Sequence, residues 1–301
     1  MIFGPKNRTY QQIVKWILEI WGRKFDNHDM LVKGSTRRVT DALCEKIQSQ
    51  RLKFVAELDV SAFFPSVSQK WLRDNLPLPK GVIDNIVMCQ VKRITSNRIT
   101  IKSLGNCCMG LPQGSILSPT VAKIVMSAVL GSCSEQICGV AYVDNICHAA
   151  ATRRELDRKS SALKSAFSRH SAGNFALRDR QPSTSLRRGM DFLGFEIGFN
   201  TLGSIRTKPN TDNIEKLRKR LFYLHSDCTQ GNEQRAVTKC RALIKGFCAS
   251  FGLDDDQEAE YDGFWMFLEF RKDYLSYKTA WAAYRRRRGR WWMLSLLELA
   301  H

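Results

Sequence analysis

The stretch that decides the fold is AYVDN, residues 141–145. Apolar and aromatic residues precede Asp144 and Asn145, and Ile146 and Cys147 follow them. Apolar runs separated by two turn-forming residues predict two strands joined by a tight turn, with the polar pair at its tip. Such a turn would hold a carboxylate rigidly, although Asp-Asn is also common in turns without a catalytic role.

A second candidate carboxylate, Asp59, lies in FVAELDVSAFFPSV, residues 54–67. Apolar residues around it predict a buried strand that runs into a turn at Pro65. Carboxylates on neighbouring strand ends can share divalent ions, because magnesium usually keeps one or two carboxylate ligands beside the substrate phosphates. We therefore predict that Asp59, Asp144 and the carbonyl of Val60 hold two magnesium ions for nucleotidyl transfer, with manganese as an alternative ion.

Between the two aspartates lies GLPQGSILSPTV, residues 110–121. Its Gly, Pro and Gln residues predict an irregular turn. Ser118 and Pro119 then predict the start of a helix, with Ser118 as the N-cap. Such a turn is by itself more often structural than functional.

Together these motifs resemble the palm motifs of reverse transcriptases, especially those related to group II introns and bacterial retroelements. The successive motifs are LDVSAFF around Asp59, GLPQGSILSP, YVDN and DFLGFEI at residues 191–197. Residues 6–43 are similar to the fingers segment, and LIKGFCASFG at residues 243–252 is similar to part of the thumb. The resemblance therefore covers nearly the whole chain.

This resemblance implies an α+β fold, a right-hand polymerase with an antiparallel palm sheet, reduced helical fingers and a helical thumb. The fingers would occupy residues 1–53, the palm with fingers insertions 54–206, and the thumb with a basic and aromatic tail 207–301. Part of the fingers hairpin that grips the triphosphate in relatives would be missing. We expect either that the fingers are reduced, or that a protein or RNA partner or another part of a longer product completes them.

The resemblance also implies substrate-binding residues. Phe64, five positions after Asp59, would clash with a ribose 2′-hydroxyl and so favour dNTPs; the alternative is a core aromatic residue. Gln113 and Gly114 would lie against the incoming nucleotide. A primer grip, or else a plain hairpin, would be formed by Phe192, Leu193, Gly194 and Phe195.

Asn145 is the largest departure from the family, whose members commonly have a second aspartate there. An amide oxygen can still coordinate magnesium, so we expect Asn145 to be a third catalytic residue. Residues 171–189 are rich in Ser, Gly, Arg and Pro and predict a loop. Relatives often carry a lysine near this loop, and Arg178 or Arg180 could act electrostatically in its place.

The charge of the chain favours a nucleic-acid partner. Among 301 residues, 47 are basic and 29 acidic, a net charge of +18 that is spread along the sequence. Contacts with an RNA template and a DNA or RNA primer are predicted for Lys33, Arg37, Arg38, Lys245, Arg285, Arg286, Arg287 and Arg288. A solvated charged face is the alternative for Lys33, Arg37 and Arg38, and docking of the last helix on the thumb is the alternative for the tail.

Membrane spans and metal-binding cysteines are not indicated. No apolar run approaches the roughly 20 residues of a span, which favours a protein without a membrane partner. Ten cysteines occur without any C-x-x-C pair, which favours reduced thiols and a cytoplasmic location over zinc.

Helical periodicity predicts an amphipathic helix over residues 9–21 that packs through Ile13, Trp16, Ile17 and Ile20. Further helices are predicted over residues 36–50, 154–167, 214–224 and 233–251.

The predicted function is an RNA-directed DNA polymerase that uses dNTPs. The alternatives are a viral RNA-dependent RNA polymerase and a catalytically silent, maturase-like nucleic-acid-binding protein. Mobile-element copying by a retroelement, antiviral defence against phage and a viral origin all accommodate these residues.

Overall fold

A computed structural model describes residues 4–22, 29–89, 94–96, 99–101, 110–227, 233–253 and 261. Its helices are α1 Pro5–Gly22, α2 Thr36–Ser49, α3 Phe63–Ser66, α4 Gln69–Asn75, α5 Lys80–Val82, α6 Ser118–Gly131, α7 Arg153–Arg169, α8 Thr211–Ser226 and α9 Glu233–Phe251, with a π-helical turn at Ile83–Val87. Its strands are β1 Phe54–Ser61, β2 Ile94–Ser96, β3 Ile99–Ile101, β4 Cys138–Tyr142, β5 Asn145–Ala150, β6 Ala176–Ser185, β7 Met190–Phe192, β8 Phe195–Phe199 and β9 Ile205–Pro209.

The central sheet has the strand order β4-β5-β1-β6, and β1 pairs antiparallel with both β5 and β6. Leu58 and Val60 of β1 belong to the main hydrophobic core, together with buried side chains of α6 and α7. This helix-covered antiparallel sheet confirms the predicted α+β fold. Strands β2-β3 and β7-β8-β9 form two smaller sheets.

Strand β6 occupies residues for which the sequence predicted a loop, so that prediction was wrong. Its side chains are mostly exposed or half-buried, and Leu177 is the buried exception near its start. An edge strand tolerates a proline and charged side chains because one edge of its backbone needs no strand partner. The polar composition that suggested a loop is therefore compatible with this position.

Helix α1 packs through a different face from the one predicted. Its buried residues are Gln11, Val14, Leu18 and Gly22. The predicted packing residues are exposed by 45–67%: Ile13, Trp16, Ile17 and Ile20. Gly22 lies beside Ile124 of α6, so the face with Gln11, Val14 and Leu18 is the one that packs against the core.

The other four predicted helices are confirmed as α2, α7, α8 and α9. Helix α6 begins at Ser118, but Leu117 is its N-cap residue and provides no side-chain cap. The Ser118 hydroxyl instead donates to the carbonyl of Pro112 at 2.6 Å. The predicted capping role of Ser118 was therefore wrong, and its hydroxyl ties the preceding loop to the helix.

The chain divides into two compact units. The first contains residues 1–190 and 198–205, and the second contains residues 191–197 and 206–301. In the second unit α8 and α9 form a common hydrophobic core, to which α8 contributes Leu217 and Leu221 and α9 contributes Cys240 and Ile244. Among the described residues, no helix combines the length and apolar character that a membrane span requires.

Candidate active site

The AYVDN stretch forms the predicted hairpin between β4 and β5. Tyr142 pairs with Asn145, which leaves Val143 and Asp144 as the two turn residues. Asn145 is therefore the first residue of β5, and only Asp144 of the polar pair lies at the tip. Val143 has φ +57°, a conformation that is strained for a β-branched residue.

The hairpin lies directly beside Asp59. Asp59 pairs with Asn145 across β1 and β5, and directly opposed residues of antiparallel strands present their side chains on the same face. The backbone N–H of Val60 donates to the carbonyl of Asp144 at 3.0 Å. The structure thus brings together the two aspartates and the amide that the sequence selected.

The carboxylates of Asp59 and Asp144 affect each other electrostatically. Burial raises the pKa of Asp144 above its ordinary value, and the negative charge of Asp59 raises it further. A backbone hydrogen bond and the positive charge of Arg180 oppose this shift. A pair of carboxylates that repel one another is a suitable place for a divalent cation, whose charge would remove the repulsion.

The donor set also fits magnesium. Asp59 and Asp144 supply hard carboxylate oxygens, which magnesium prefers over nitrogen or sulfur ligands. Across the ranges that the structure describes, no group of three or more His, Cys, Asp and Glu side chains could hold a metal ion. Two carboxylates completed by substrate phosphates would satisfy magnesium, whereas a structural zinc site would need four protein ligands.

Asn145 is held between Asp144 and an arginine. Its Nδ2 donates to Asp144 Oδ1 at 3.4 Å, and its Oδ1 accepts from Arg180 Nη1 at 2.6 Å. Arg180 Nη1 also lies 3.6 Å from Glu57 Oε1. These contacts place Asn145 in a polar network beside the two aspartates.

The GLPQGS loop is docked on the turn that follows β1. Leu111 N–H donates to the carbonyl of Phe64 at 2.7 Å. Gly110 has φ +80°, and a Cβ there would lie 2.0 Å from the same Phe64 oxygen. Only glycine fits this approach, so the glycine fixes the loop against the backbone of Phe64.

A cleft of about 1300 Å³ lies between this loop, α1, α6 and the β4-β5 hairpin. Phe64, Gln113 and Gly114, the three residues predicted to lie near the nucleotide, all line this cleft. Phe64 is half-buried and makes an edge contact with the buried ring of Phe63, 5.6 Å between centroids. Phe64 is therefore a cleft-lining aromatic residue, while Phe63 belongs to the core.

The basic residues predicted to bind nucleic acid have different environments. Lys33 lines the cleft beside Arg8, Lys15 and Lys123. In α2, Arg37 pairs with Asp41 at 3.5 Å, and Arg38 is exposed. Lys245 is an exposed residue of α9 in the second unit. The predicted contacts of Arg285, Arg286, Arg287 and Arg288 lie outside the described residues.

The residues of the predicted primer grip form a hairpin with a two-residue turn in the second unit. Phe192 ends β7, Phe195 begins β8, and Leu193 and Gly194 between them have φ +49° and +90°. The carbonyl of Gly194 accepts from the N–H of Asn210 at 2.9 Å and from Asn213 Nδ2 at 3.1 Å. Phe195 also packs on Phe251 of α9, 4.8 Å between ring centroids. The turn is thus anchored to α8 and α9.

Comparison with protein families decides the identity of the fold. A family model described as "Reverse transcriptase (RNA-dependent DNA polymerase)" matches residues 4–197. This chain belongs to the reverse transcriptase family. The match includes Asp59, Asp144, the GLPQGS loop, β7 and the first residues of β8. The predicted right-hand polymerase fold is thereby confirmed.

Solved structures similar to this reverse transcriptase chain are distant. Telomerase from Candida albicans in complex with a TWJ fragment of telomeric RNA is 14% identical, with a TM-score of 0.47 over 91% of this chain and 54% of that chain. Apo telomerase from Candida tropicalis is 12% identical, with a TM-score of 0.47 over 80% and 44%. Sicinivirus 3Dpol RNA-dependent RNA polymerase is 14% identical, with a TM-score of 0.36 over 72% and 51%.

The chain therefore spans about half the length of the solved structures that it matches. Similarity at this level does not identify a substrate or partner for this reverse transcriptase. Comparison with curated protein sequences gave no match.

One residue of the site was missed at the sequence level. Glu57 is 2% exposed and lies within reach of Arg180, yet an acid inside an apolar run attracts little notice. Its position two residues before Asp59 was an available signal, because residues i and i+2 of a strand share one face.

Proposed function

We propose that this reverse transcriptase chain is an active RNA-directed DNA polymerase that adds deoxynucleotides to a primer. The observation that carries the proposal is the direct pairing of Asp59 with Asn145, which brings Asp59 close to the neighbouring Asp144 of the turn, so that the two carboxylates repel each other. Val143 of the same turn lines the cleft. Such a pair of carboxylates is the arrangement that nucleotidyl transfer with divalent cations requires.

Two magnesium ions would be held by Asp59, Asp144 and the carbonyl of Val60, and manganese could use the same oxygens. When bound, magnesium would activate the primer hydroxyl and stabilise the leaving pyrophosphate. Asp59 and Asp144 contribute rigid positions, since one lies within a strand and the other at a turn bonded to the next residue of that strand.

Side chains around the cleft would select and orient the nucleotide. Phe64 would stand against the sugar and exclude a 2′-hydroxyl, while Gln113 and Gly114 would lie against the base and phosphates. Phe192, Leu193, Gly194 and Phe195 would position the primer end. An RNA template would be held by basic residues through its phosphates, without sequence reading.

The proposed domain limits are fingers at residues 1–53, palm at 54–206 and thumb at 207–301. A protein or RNA partner would complete the fingers, and the exposed apolar face of α1 offers a surface that such a partner could cover. The described cysteines are not joined to one another by disulfides, which suits a cytoplasmic location.

A primer-extension assay tests this proposal. The protein is offered dNTPs or ribonucleotides on RNA and DNA templates with magnesium, and Asp144→Ala is the negative control. We expect extension with dNTPs on RNA, and its loss in the control. Extension with ribonucleotides alone would instead identify an RNA-dependent RNA polymerase.

Phe64→Ala sharpens the same assay. Removal of the ring should raise the use of ribonucleotides relative to dNTPs by roughly 10- to 100-fold, because one steric contact controls discrimination of this order. An unchanged ratio would show that Phe64 does not face the sugar.

The second candidate function is a catalytically silent template-binding protein. The uncharged Asn145 favours it, because an amide offers the metals no negative charge. Salt-dependent RNA binding without extension by either wild type or Asp144→Ala would support this candidate.

A further inference from the structure

Arg180 links a buried acid to the amide of Asn145. Its Nη1 atom donates to Asn145 Oδ1 at 2.6 Å and lies 3.6 Å from Glu57 Oε1. Glu57 is 2% exposed. A buried carboxylate gives the guanidinium a fixed counter-charge, so the arginine head lies between two residues of the sheet.

A local irregularity of the sheet directs Arg180 to this place. In the pairing of β1 with β6, Glu57 pairs with Gln181 but the next residue, Leu58, pairs with Asp179. Arg180 is therefore the extra residue of a β-bulge. Bulges change the direction of a side chain and are frequent beside active sites.

The chemistry of arginine fixes the orientation of the amide. A guanidinium group has only hydrogen-bond donors, so the atom of Asn145 that faces it must be the oxygen. The Asn145 NH₂ group then points the other way, where it donates to Asp144 Oδ1 at 3.4 Å. If the Asn145 amide were rotated by about 180°, its NH₂ group would face the N–H donors of Arg180 without any acceptor between them.

This orientation disfavours coordination of a metal by Asn145. An oxygen that already contacts a guanidinium at 2.6 Å would have to bind a divalent cation beside a fixed positive charge. The repulsion between the two cations would oppose binding. The amide is instead suited to hold Asp144 through a hydrogen bond.

We propose that Arg180 is a positioning residue that keeps the oxygen of Asn145 away from the metal ions, so that Asn145 supports Asp144 as a hydrogen-bond donor and is not a metal ligand. This inference rests on the proposed function of the site. It assigns the uncharged residue a defined role in place of the second aspartate of relatives.

A double-mutant cycle tests the link between Arg180 and Asn145. Single-nucleotide extension rates are measured for wild type, Arg180→Ala, Asn145→Ala and the double variant. Each single substitution should lower the rate by about 10- to 100-fold, as is typical of residues that orient metal ligands. The double variant should lie within about 3-fold of Asn145→Ala, because Arg180 acts through that amide. Multiplicative losses would overturn the proposal.

Two further variants separate positioning from folding. Arg180→Lys keeps a positive donor and should recover most of the rate lost in Arg180→Ala. Arg187→Ala removes another exposed arginine just beyond β6 and should leave the rate unchanged. Failure of Arg180→Lys to recover any rate, with a melting temperature equal to that of wild type, would contradict a role through the amide.

Binding of Mn²⁺, followed by electron paramagnetic resonance without nucleotide or primer, gives a readout that is independent of catalysis. Asp144→Ala should remove a ligand and weaken Mn²⁺ binding by about 10-fold or more, whereas Asn145→Ala should weaken it clearly less because no ligand is lost. Equal weakening by both substitutions would show that Asn145 is a ligand and would overturn the inference.

The same titration distinguishes the two proposals. If Asp144→Ala leaves both Mn²⁺ binding and primer extension unchanged, the proposed catalytic site is wrong. If Asp144 matters and Asn145→Ala also removes Mn²⁺, the catalytic site stands and the role assigned to Arg180 fails.

Discussion

Two hairpins of the described residues, at residues 142–145 and 192–195, have two-residue turns that are stabilised in opposite ways. In the β4-β5 hairpin the turn is Val143–Asp144, without glycine, and its positive φ falls on a β-branched residue. In the hairpin at residues 192–195 the turn is Leu193–Gly194, with positive φ at both positions and glycine at the second. The first geometry resembles a type II′ turn and the second a type I′ turn.

The supports of the two turns differ accordingly. Asp144 is held by the neighbouring strand, through the N–H of Val60, and its side chain is left to face Asp59. Gly194 is held through its carbonyl by Asn210 and Asn213, so side chains of the turn are not needed. The first turn therefore presents a carboxylate side chain, whereas the second is held through its backbone.

The largest expected effect is the loss of primer extension when the carboxylate of the first hairpin is removed. Asp144→Ala should lower primer extension by at least about 1000-fold, equivalent to roughly 4 kcal/mol, because a metal ligand is lost. The melting temperature should change little. Asp157→Ala, which removes an exposed aspartate of α7, is the matched control and should retain activity. Residual activity above about one tenth of wild type would refute the assignment of Asp144.

Acid should weaken the strand that follows the catalytic turn. Burial lowers the pKa of His148 in β5 to about 4, with the charge of Lys159 acting in the same direction. The unfolded chain takes up a proton below its ordinary value of 6.5, but the folded chain does not. Stability from neutral His148 is thus complete above that pH and is lost as the pH falls toward 4, by roughly 3 kcal/mol.

Urea unfolding of wild type and His148→Gln at pH 7 and pH 4.5 measures this loss. The variant cannot bind the proton at this position, so its stability should fall less between the two pH values. Parallel losses in the two proteins would mean that His148 is not kept neutral by the fold.

Gly194→Ala should damage the second hairpin selectively. At φ +90° an added Cβ would be strained and would lie 2.5 Å from Asn213 Nδ2, so we expect a loss of about 1–2 kcal/mol in unfolding free energy. Gly246→Ala in α9 is the control, since nothing lies within 4 Å of its added Cβ and alanine favours helix. Equal unfolding free energies for Gly194→Ala and wild type would rule out an anchored turn.

The smallest effects come from giving each turn its preferred residue. Val143→Gly and Leu193→Asn should each stabilise the protein by about 0.5–1 kcal/mol, because glycine suits the first position of a II′ turn and asparagine that of a I′ turn. Thermal unfolding measures both. If only Leu193→Asn stabilises the protein, contacts with neighbouring residues already compensate for the backbone strain at Val143.

The sequence predicted correctly those elements that depend on local patterns of residue types. The apolar run around Asp59 and the turn at Asp144 predicted the strand and hairpin, because periodicity and turn chemistry are local properties. The sequence could not reveal that β6 joins the sheet, since an edge strand needs little apolar surface. Nor could it reveal the bulge at Arg180, which depends on how β6 pairs with β1.

Helix α1 illustrates a second limit. It carries two apolar stripes, and periodicity alone favoured the one with the larger side chains. The structure buries Val14 and Leu18 and leaves Trp16 and Ile20 exposed. Which stripe faces inward depends on tertiary packing, including that of α1 against α6, which leaves no local signal in the sequence.

The two outer strands of the central sheet also differ in how they avoid uncontrolled pairing with other molecules. On β4, Ala141 donates its N–H to Met30, so part of that border is already occupied. On β6, Arg178, Asp179, Arg180 and Pro182 make a border that is charged and interrupted by a residue without an N–H. The arginine that orients the amide thus also discourages aggregation, so its replacement by an apolar residue would reduce solubility as well as catalysis.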